Sequence, residues 1–111
     1  MKDIDDLTVR NVWEILVPTT INDKPVKTRY HKVWDEKVRV ISGGLTILKP
    51  AKGQWISENP SNPSKLFSER VIPVRIACTK VEMFEIAKIT KSYYEQLAVM
   101  FYKISDEVYF V

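Results

Sequence analysis

The stretch GGLTILKPAKGQWIS, residues Gly43–Ser57, carries the densest pattern in this chain and decides how the flanking segments are arranged. Two glycines open it, an apolar run follows, and a Lys-Pro-Ala-Lys-Gly turn leads into a Gln-Trp pair. Leu45–Lys49 alternates as a β-strand does, Pro50–Gly53 has turn chemistry, and residues 54–56 return to extended backbone. The stretch therefore predicts a strand followed by a bent, extended segment.

A helix is predicted over residues 28–41, directly before the two glycines. Its apolar residues are spaced by four, four and three positions, as on one face of a helix: Tyr30, Trp34, Val38 and Ile41. Thr28 is the predicted N-cap, and Ser42-Gly43-Gly44 is the predicted stop, because glycine accepts the left-handed conformation of a helix end. A phosphate-binding glycine loop needs the reverse order, with the glycines before a helix, so these glycines predict helix termination.

The rest of the chain predicts strands and one further helix. Strands are expected over Val12–Val17 and Leu66–Ala77, and β-rich segments over Val99–Ile104 and Glu107–Val111. Pro73 cannot donate to a strand ladder, which predicts a bulge or an edge position. Thr79-Lys80-Val81-Glu82 matches a capping box and starts a helix that is expected to reach Gln96. Its predicted buried face consists of Met83, Ile86, Ala87, Thr90, Tyr94 and Leu97.

The resulting order, β-α-β-β-α-β, predicts an α+β, ferredoxin-like fold in which two helices cover one face of an antiparallel sheet. A C-terminal hairpin is an optional addition. Residues 1–10 are expected to be a flexible N-terminus, and residues 11–111 a single domain. The bare sheet face is expected to carry Glu14, Thr46, Leu48, Glu69, Val71 and Arg75. Because a large exposed apolar surface is unfavourable, the sequence predicts a homodimer or higher oligomer.

Composition narrows the class of protein. With 45% hydrophobic and 28% charged residues, the 111-residue chain is predicted to be globular rather than disordered. The net charge of +3 is mild and is typical of an ordinary soluble surface, whereas a nucleic-acid binder of this size more often shows a single basic stripe. Cys78 is the only cysteine, so no internal disulfide can form, and a reducing, cytoplasmic location is expected. No apolar run reaches the ~20 residues of a membrane span, so no membrane partner is predicted.

Four short motifs resemble, in their order, those of a family of short bacterial proteins of unassigned function. They are Gly44-Leu45-Thr46, Gly53-Gln54-Trp55, the acid Glu69, and Tyr94 followed by Gln96-Leu97-Ala98-Val99. The family order is G-L-T, G-Q-W, R-E and Y-x-x-x-F-x-Q-x-x-V on a βαββαβ framework, and the likeness spans about residues 30–104. The resemblance implies the fold and brings no activity with it. The positions that it singles out are Thr46, Gln54, Trp55, Glu69 and Gln96.

Catalytic chemistry has few candidate residues. One histidine, His31, and one cysteine, Cys78, do not make a four-ligand zinc site, so neither a metal nor another cofactor is expected. Glu69 shares a predicted strand face with Arg75, which predicts either an ion pair or a partly buried general base. Gln54 and Gln96 are suited to orienting a ligand or to satisfying loop backbone.

Basic residues flank two loops, and with Trp55 they predict a cationic, aromatic-lined rim that suits a nucleotide. They are Lys24, Lys27, Arg29, Lys32, Lys49 and Lys52. Two plainer interpretations stay open: the charges form a solvated surface, and Trp55 caps the core.

Three functions remain open. The first is a non-catalytic homo-oligomeric module that binds a small anionic, nucleotide-like ligand; one form is a virus-encoded protein that sequesters a signal of bacterial defence. The second is a small cofactor-free enzyme with Glu69 as general base at a subunit interface. The third is RNA binding on the open sheet. The candidate ligand-binding residues are Thr46, Gln54, Trp55, Glu69, Arg75 and Gln96.

Overall fold

A computed structural model describes residues 9–56 and 65–111, and it has the predicted α+β architecture. The predicted loop over residues 58–64 and most of the predicted flexible N-terminus lie outside the described residues. The elements are β1 (Arg10–Pro18), β2 (Thr20–Ile21), β3 (Lys24–Pro25), α1 (Thr28–Ser42), β4 (Thr46–Ile47), β5 (Ala51–Ile56), β6 (Leu66–Thr79), α2 (Lys80–Tyr93) and β7 (Phe101–Ser105).

The main sheet is antiparallel, with the strand order β4-β6-β1-β7. The long strand β6 is central and changes partners at Val71, which lies opposite Pro18 of β1 and also opposite Ala51 of β5. Beyond that point β6 pairs with β5 over residues 66–70. We call residues 52–56 and 66–70 the β5–β6 ribbon. Strands β2 and β3 form a separate small hairpin.

The two helices pack on one face of the sheet and enclose the core. Its buried side chains are Trp13, Ile15, Val17, Trp34, Val38, Val74, Ile76, Cys78, Met83, Ile86, Ala87 and Tyr94. Each large side chain removed from water contributes roughly 1.5–3 kcal/mol to folding. The indole Nε1 of Trp34 donates a hydrogen bond of 2.9 Å to Thr90 Oγ1, which joins the two helices inside the core.

The predicted signals at one end of each helix are confirmed. Gly43 ends α1 in the left-handed conformation at φ 89°, and its N–H donates to Arg39 O at 2.8 Å. At the start of α2, Thr79 Oγ1 accepts from Glu82 N–H at 3.2 Å. The Glu82 carboxylate accepts in return from Thr79 N–H at 2.8 Å, which completes the capping box.

The other two helix ends differ from the prediction. The N-cap of α1 is Lys27 rather than Thr28, and its side chain makes no capping hydrogen bond. Helix α2 ends at Tyr93 rather than near Gln96, because Glu95 adopts a left-handed φ of 52° and Gln96 N–H turns back to Lys91 O at 2.9 Å. Leu97 therefore leaves the predicted buried face and is 97% exposed.

Of three further strand predictions, the one for Pro73 is confirmed in part and two are wrong. Strand β6 is not an edge strand, but its pairing shifts by one residue beside Pro73, because Arg75 and Val71 are four positions apart and their partners Thr46 and Ala51 are five apart. The Pro73 carbonyl accepts from Leu48 N–H at 2.9 Å at this irregularity, where the missing N–H of proline is tolerated.

The strand predicted over Leu45–Lys49 is confirmed only at Thr46–Ile47, and the turn predicted over Pro50–Gly53 is wrong, because residues 51–53 are the first residues of β5. The C-terminal hairpin does not form, because Ser105 Oγ accepts from Glu107 N–H at 3.2 Å and turns the chain out of β7.

Candidate anion-binding cavity

A cavity of about 430 Å³ lies where the β2–β3 hairpin meets the start of α1 and the end of α2. We call it the tyrosine–lysine cavity. Its basic lining residues are Lys24, Lys27 and Arg29, and its aromatic lining residues are Tyr30 and Tyr93. The remaining lining side chains are apolar: Ile21, Pro25, Val26 and Val33. No carboxylate is among the described residues that line this cavity.

The hairpin wall of the cavity is held by its turn. Asn22 and Asp23 both have positive φ, 49° and 64°, as the two central residues of a type I′ turn require. Val26 N–H donates to Thr19 O at 2.9 Å, which closes the base of the hairpin. The hydroxyl of Thr19 also donates to Arg70 O at 2.7 Å, and so ties this connection to the β5–β6 ribbon.

The aromatic wall is a stacked tyrosine pair. The rings of Tyr30 and Tyr93 have centroids 4.1 Å apart and are inclined by 22°. Tyr30 Oη donates to Tyr93 O, and Tyr93 Oη donates to Tyr30 O at 2.8 Å. Burial raises the pKa of Tyr93 above its usual value, so this hydroxyl stays neutral and remains a donor at physiological pH. Both rings are therefore fixed before any ligand arrives.

The charge around the cavity is unbalanced. Lys27 and Arg29 lie at the N-terminus of α1, whose first turn contains no acid. The helix dipole places partial positive charge at this end and favours acids there. The cations therefore add to the positive potential of the uncapped helix end.

His31 lies behind the tyrosine pair rather than on the surface as a solvated residue. Its Nδ1 is 2.7 Å from Tyr94 Oη, and the Tyr94 ring meets the edge of Tyr30 at 5.7 Å. Burial lowers the pKa of His31, opposed by the charge of Asp35, so the imidazole is neutral at physiological pH. His31 therefore positions Tyr94 and adds no charge to the cavity.

A second cavity, of about 310 Å³, lies at the opposite end of β1, beside the C-terminus of α1. Among its lining residues are Arg10, Thr46 and Arg75. Arg10 Nη2 donates to Ser42 O at 2.7 Å and to Ala77 O at 2.6 Å. This nitrogen is therefore already hydrogen-bonded to backbone carbonyls. Because a helix C-terminus is electrically negative, this cavity suits an anion less well than the first.

The six predicted ligand-binding residues lie in three places. Thr46 and Arg75 line the second cavity, and Gln96 Nε2 donates to Tyr94 O at 2.8 Å after the end of α2. The ribbon carries the other three residues: Gln54, Trp55 and Glu69. The structure thus brings Thr46 and Arg75 together, and it also groups the three ribbon residues.

The ion pair that was considered between Glu69 and Arg75 does not form within the chain. The two residues are six positions apart on β6, about 20 Å at the rise of a strand. Arg75 Nε instead donates to Glu14 Oε1 at 3.1 Å, because Glu14 lies directly opposite on β1. Glu69 makes no hydrogen bond or ion pair with another described residue, and its partial burial raises the pKa of its carboxyl group.

The predicted basic rim divides in the structure. Lys24, Lys27 and Arg29 line the tyrosine–lysine cavity, whereas the other predicted rim residues do not: Lys32, Lys49, Lys52 and Trp55. Trp55 instead stacks on Phe67 across the ribbon, with centroids 6.4 Å apart. It is 46% exposed, so it does not cap the core.

Sequence reasoning missed the aromatic partners of the three cations. The sequence predicts Tyr30 on the buried stripe of the first helix, and it gives no reason to select Tyr93 as a site residue. The adjacent Arg29-Tyr30 and the Tyr93-Tyr94 pair are the signals in the sequence. Tyr30 and Tyr93 come into contact only because α1 packs on α2, which the sequence does not show.

Other chemistry is limited in the part of the chain that the structure describes. Residues 9–56 and 65–111 contain no group of three His, Cys, Asp or Glu side chains placed to hold a metal ion. Cys78 is fully buried, and burial raises the pKa of its thiol to about 12. Neither helix is long and apolar enough to cross a membrane.

No family model matches the chain, and no curated protein matches its sequence. Solved structures match its fold. The periplasmic divalent cation tolerance protein CutA from Archaeoglobus fulgidus is 12% identical with a TM-score of 0.64, over 91% of this chain and 87% of that one. CutA1 from Oryza sativa is 10% identical with a TM-score of 0.66, over 92% and 84%.

A phage SAM lyase, solved in complex with S-methyl-5′-thioadenosine, also has this fold. It is 16% identical to this chain with a TM-score of 0.62, and the match covers 92% of this chain and 94% of the lyase. At such identities the similarity establishes the ferredoxin-like α+β fold alone. The chemistry of this chain has to be argued from its own residues.

Proposed function

We propose that this chain is a self-associating binding module for a small anionic, nucleotide-like ligand, which it holds in the tyrosine–lysine cavity. One observation carries the proposal: Lys24, Lys27 and Arg29 surround an apolar and aromatic cavity, and no carboxylate lines it among the described residues. The module acts in the cytoplasm. It requires no catalytic group.

The charges favour an anion for a physical reason. Cations at a helix N-terminus oppose the dipole, and each such contact is unfavourable by roughly 0.3–1 kcal/mol. The first N–H groups of α1 have no side-chain cap at Lys27. A bound phosphate or carboxylate would accept from them and neutralise the neighbouring cations.

The apolar part of the cavity favours a ring. Ligand pockets are mostly apolar with a few polar groups that fix orientation, and 430 Å³ is within their ordinary size range. The stacked rings of Tyr30 and Tyr93 and the apolar floor would contact a flat base while the cations hold its phosphate. The phage SAM lyase was solved with S-methyl-5′-thioadenosine, an uncharged nucleoside, which supports a nucleoside ring on this fold and does not bear on the anionic group. A virus-encoded protein that sequesters a nucleotide signal would need no more than such binding.

Isothermal titration calorimetry with nucleoside monophosphates, diphosphates, cyclic nucleotides and an uncharged nucleoside tests this proposal. We expect the phosphorylated ligands to bind and the nucleoside to bind at least about tenfold more weakly, since charge-assisted hydrogen bonds are lost. Lys24→Ala with Lys27→Ala should lower affinity by about tenfold or more. Lys49→Ala with Lys52→Ala is the matched control, because these lysines lie outside the cavity lining. The proposal fails if no phosphorylated ligand binds above background.

A second candidate function is a small cofactor-free enzyme with Glu69 as general base. Two observations favour it: the Glu69 carboxylate has no partner among the described residues, and burial raises its pKa towards the range of a useful base. Incubation with S-adenosylmethionine, followed by chromatography for S-methyl-5′-thioadenosine, tests the activity that the phage SAM lyase suggests. Glu69→Gln should abolish turnover, and Glu36→Gln on the outer face of α1 should leave it unchanged. Absence of product from the unaltered protein excludes this reaction.

A further inference from the structure

The sheet face opposite the helices carries a polar row in which Arg75 and Tyr102 both donate to Glu14. Glu14 lies opposite Arg75 on one side and Tyr102 on the other. Arg75 Nε donates to Glu14 Oε1 at 3.1 Å, and Tyr102 Oη donates to Glu14 Oε2. Glu14 is only 9% exposed. A partner can therefore cover this row, because the Glu14 carboxylate keeps its hydrogen bonds within the chain.

Beside the row, the same face is apolar. Leu16 lies opposite Pro73, and Pro18 lies opposite Val71. Ala51 continues the apolar surface on the other side of Val71. This area separates Arg75 from the ribbon.

Two charged side chains on this face have donor or acceptor atoms that make no hydrogen bond with a described residue. The Arg75 side chain is 51% exposed, and only its Nε is engaged by the described residues. The half-buried Glu69 has no described partner. They lie six positions apart on β6, with Val71 and Pro73 between them on the same face. The face thus ends in a positive group on one side and a negative group on the other.

We propose that a second copy of this chain covers the open face about a two-fold axis between Val71 and Pro73, so that Glu69 of each copy pairs with Arg75 of the other. A two-fold axis brings the same patch of both copies together, which suits a surface with one charge of each sign. Sheets that pack face to face lie about 10 Å apart with strands within about 30° of each other, a gap that an arginine and a glutamate can span together. The inference rests on the self-association in the proposed function.

The centre of this face is smaller than a standard interface. Strands β1 and β6 pair over nine residues, roughly 30 Å, whereas β7 adds five residues and β4 only two. Glu14, Pro18 and Val71 are already buried within the chain, while Leu16 and Pro73 keep part of their surface exposed. Stable interfaces bury about 800 Å² on each partner, so the ribbon has to contribute to the contact as well.

Cysteine cross-linking tests the pairing directly. In the variant with Glu69→Cys and Arg75→Cys, the two thiols of one chain are about 20 Å apart, too far for an intrachain disulfide. Facing sheets lie about 10 Å apart, beyond the ~7 Å between Cα atoms that a disulfide allows, so a short bismaleimide cross-linker is used and should give a covalent dimer on a denaturing gel. The control combines Glu36→Cys and Glu85→Cys, which are exposed on the two helices, and should stay monomeric.

A charge reversal gives an independent measurement. Glu69→Lys would face a partner arginine and should raise the dimer dissociation constant by about tenfold or more in sedimentation velocity. Glu85→Lys makes the same charge change on α2 and should leave the dimer dissociation constant unchanged. Circular dichroism confirms that both variants are folded, and Glu69→Gln provides a milder version with a smaller effect.

The results distinguish the two-fold pairing of Glu69 with Arg75 from self-association in general. If the unaltered protein is a monomer at about 100 µM, both the two-fold pairing and self-association are wrong. If it is an oligomer, its dissociation constant is unchanged in Glu69→Lys and the double-cysteine variant does not cross-link, then the pairing is wrong and self-association is retained. Ligand binding in the tyrosine–lysine cavity is measured separately, and neither result decides whether it occurs.

Discussion

Tyr30 and Tyr93 each donate a side-chain hydrogen bond to the backbone carbonyl of the other, although 63 residues separate them in the chain. The exchange fastens the first turn of α1 to the last turn of α2. The two rings are also stacked, so the aromatic wall of the tyrosine–lysine cavity and the helix contact are one structure. The proposed ligand site and the helix packing therefore share the same atoms.

Removal of one hydroxyl of this pair tests that dependence. Tyr93→Phe loses the 2.8 Å hydrogen bond to Tyr30 O, although this carbonyl keeps its place in the backbone ladder of α1. We expect a loss of about 1 kcal/mol in the free energy of unfolding, or about 4 °C in Tm. Differential scanning calorimetry measures both. Tyr109→Phe, at an exposed position, is the control, and an unchanged Tm for Tyr93→Phe would contradict the expectation.

Lys27 should show a trade-off between stability and binding. Lys27→Ser supplies the missing N-cap and removes an unfavourable charge, so we expect a gain of about 1 kcal/mol in the free energy of unfolding. The same substitution should weaken binding of a nucleoside monophosphate in calorimetry. Lys27→Ala removes the charge without adding a cap, and it should lose affinity while gaining less stability. A variant that gains stability and keeps its affinity would exclude Lys27 from the site.

Glu69 should give the stability a specific pH dependence in dilute, monomeric protein. Burial raises its pKa in the folded chain above the unfolded value of 4.5, so the folded state binds the proton more tightly. Its contribution is most favourable below pH 4.5 and turns unfavourable as the pH rises through the folded pKa. The Tm of Glu69→Gln relative to the unaltered protein should therefore increase from pH 4 to pH 7. Thermal melts across this range measure the difference, and a constant difference would contradict the shift.

Cys78 should be chemically silent in the native protein. It is fully buried, and its pKa of about 12 leaves almost no thiolate at pH 8. Iodoacetamide at pH 8 should not modify it in buffer and should modify it fully in denaturant, as mass spectrometry can show. Rapid modification of the folded protein would mean that the strand end opens readily.

Local signals in the sequence predicted a large part of the fold. The capping box at Thr79 and Glu82 and the helix stop at Gly43 involve residues within a few positions of each other, so the sequence contains the whole interaction. The apolar stripe through Trp34 and Val38 predicted the buried side of α1 for the same reason. The helix end at Glu95 was missed, because a left-handed glutamate has no marker as clear as glycine.

The candidate site could be predicted only in part. The cluster of Lys24, Lys27 and Arg29 was visible in the sequence, whereas their aromatic partner Tyr93 comes from the far end of α2. The sequence predicts Glu69, an acid on the same strand, as one possible partner of Arg75, because it does not show the strand register that places Glu14 opposite. Residues brought together by pairing of distant segments carry no local pattern that identifies the partner.

The hydrogen bond from Thr19 to Arg70 O joins two regions that the proposals treat separately. Arg70 belongs to the ribbon, and Thr19 also accepts from Val26 at the base of the hairpin that walls the cavity. Thr19 is therefore the single residue between the ribbon and the hairpin. Under the two proposals it connects the subunit interface with the cavity, and by thermodynamic reciprocity any effect of assembly on ligand affinity is returned by the same factor.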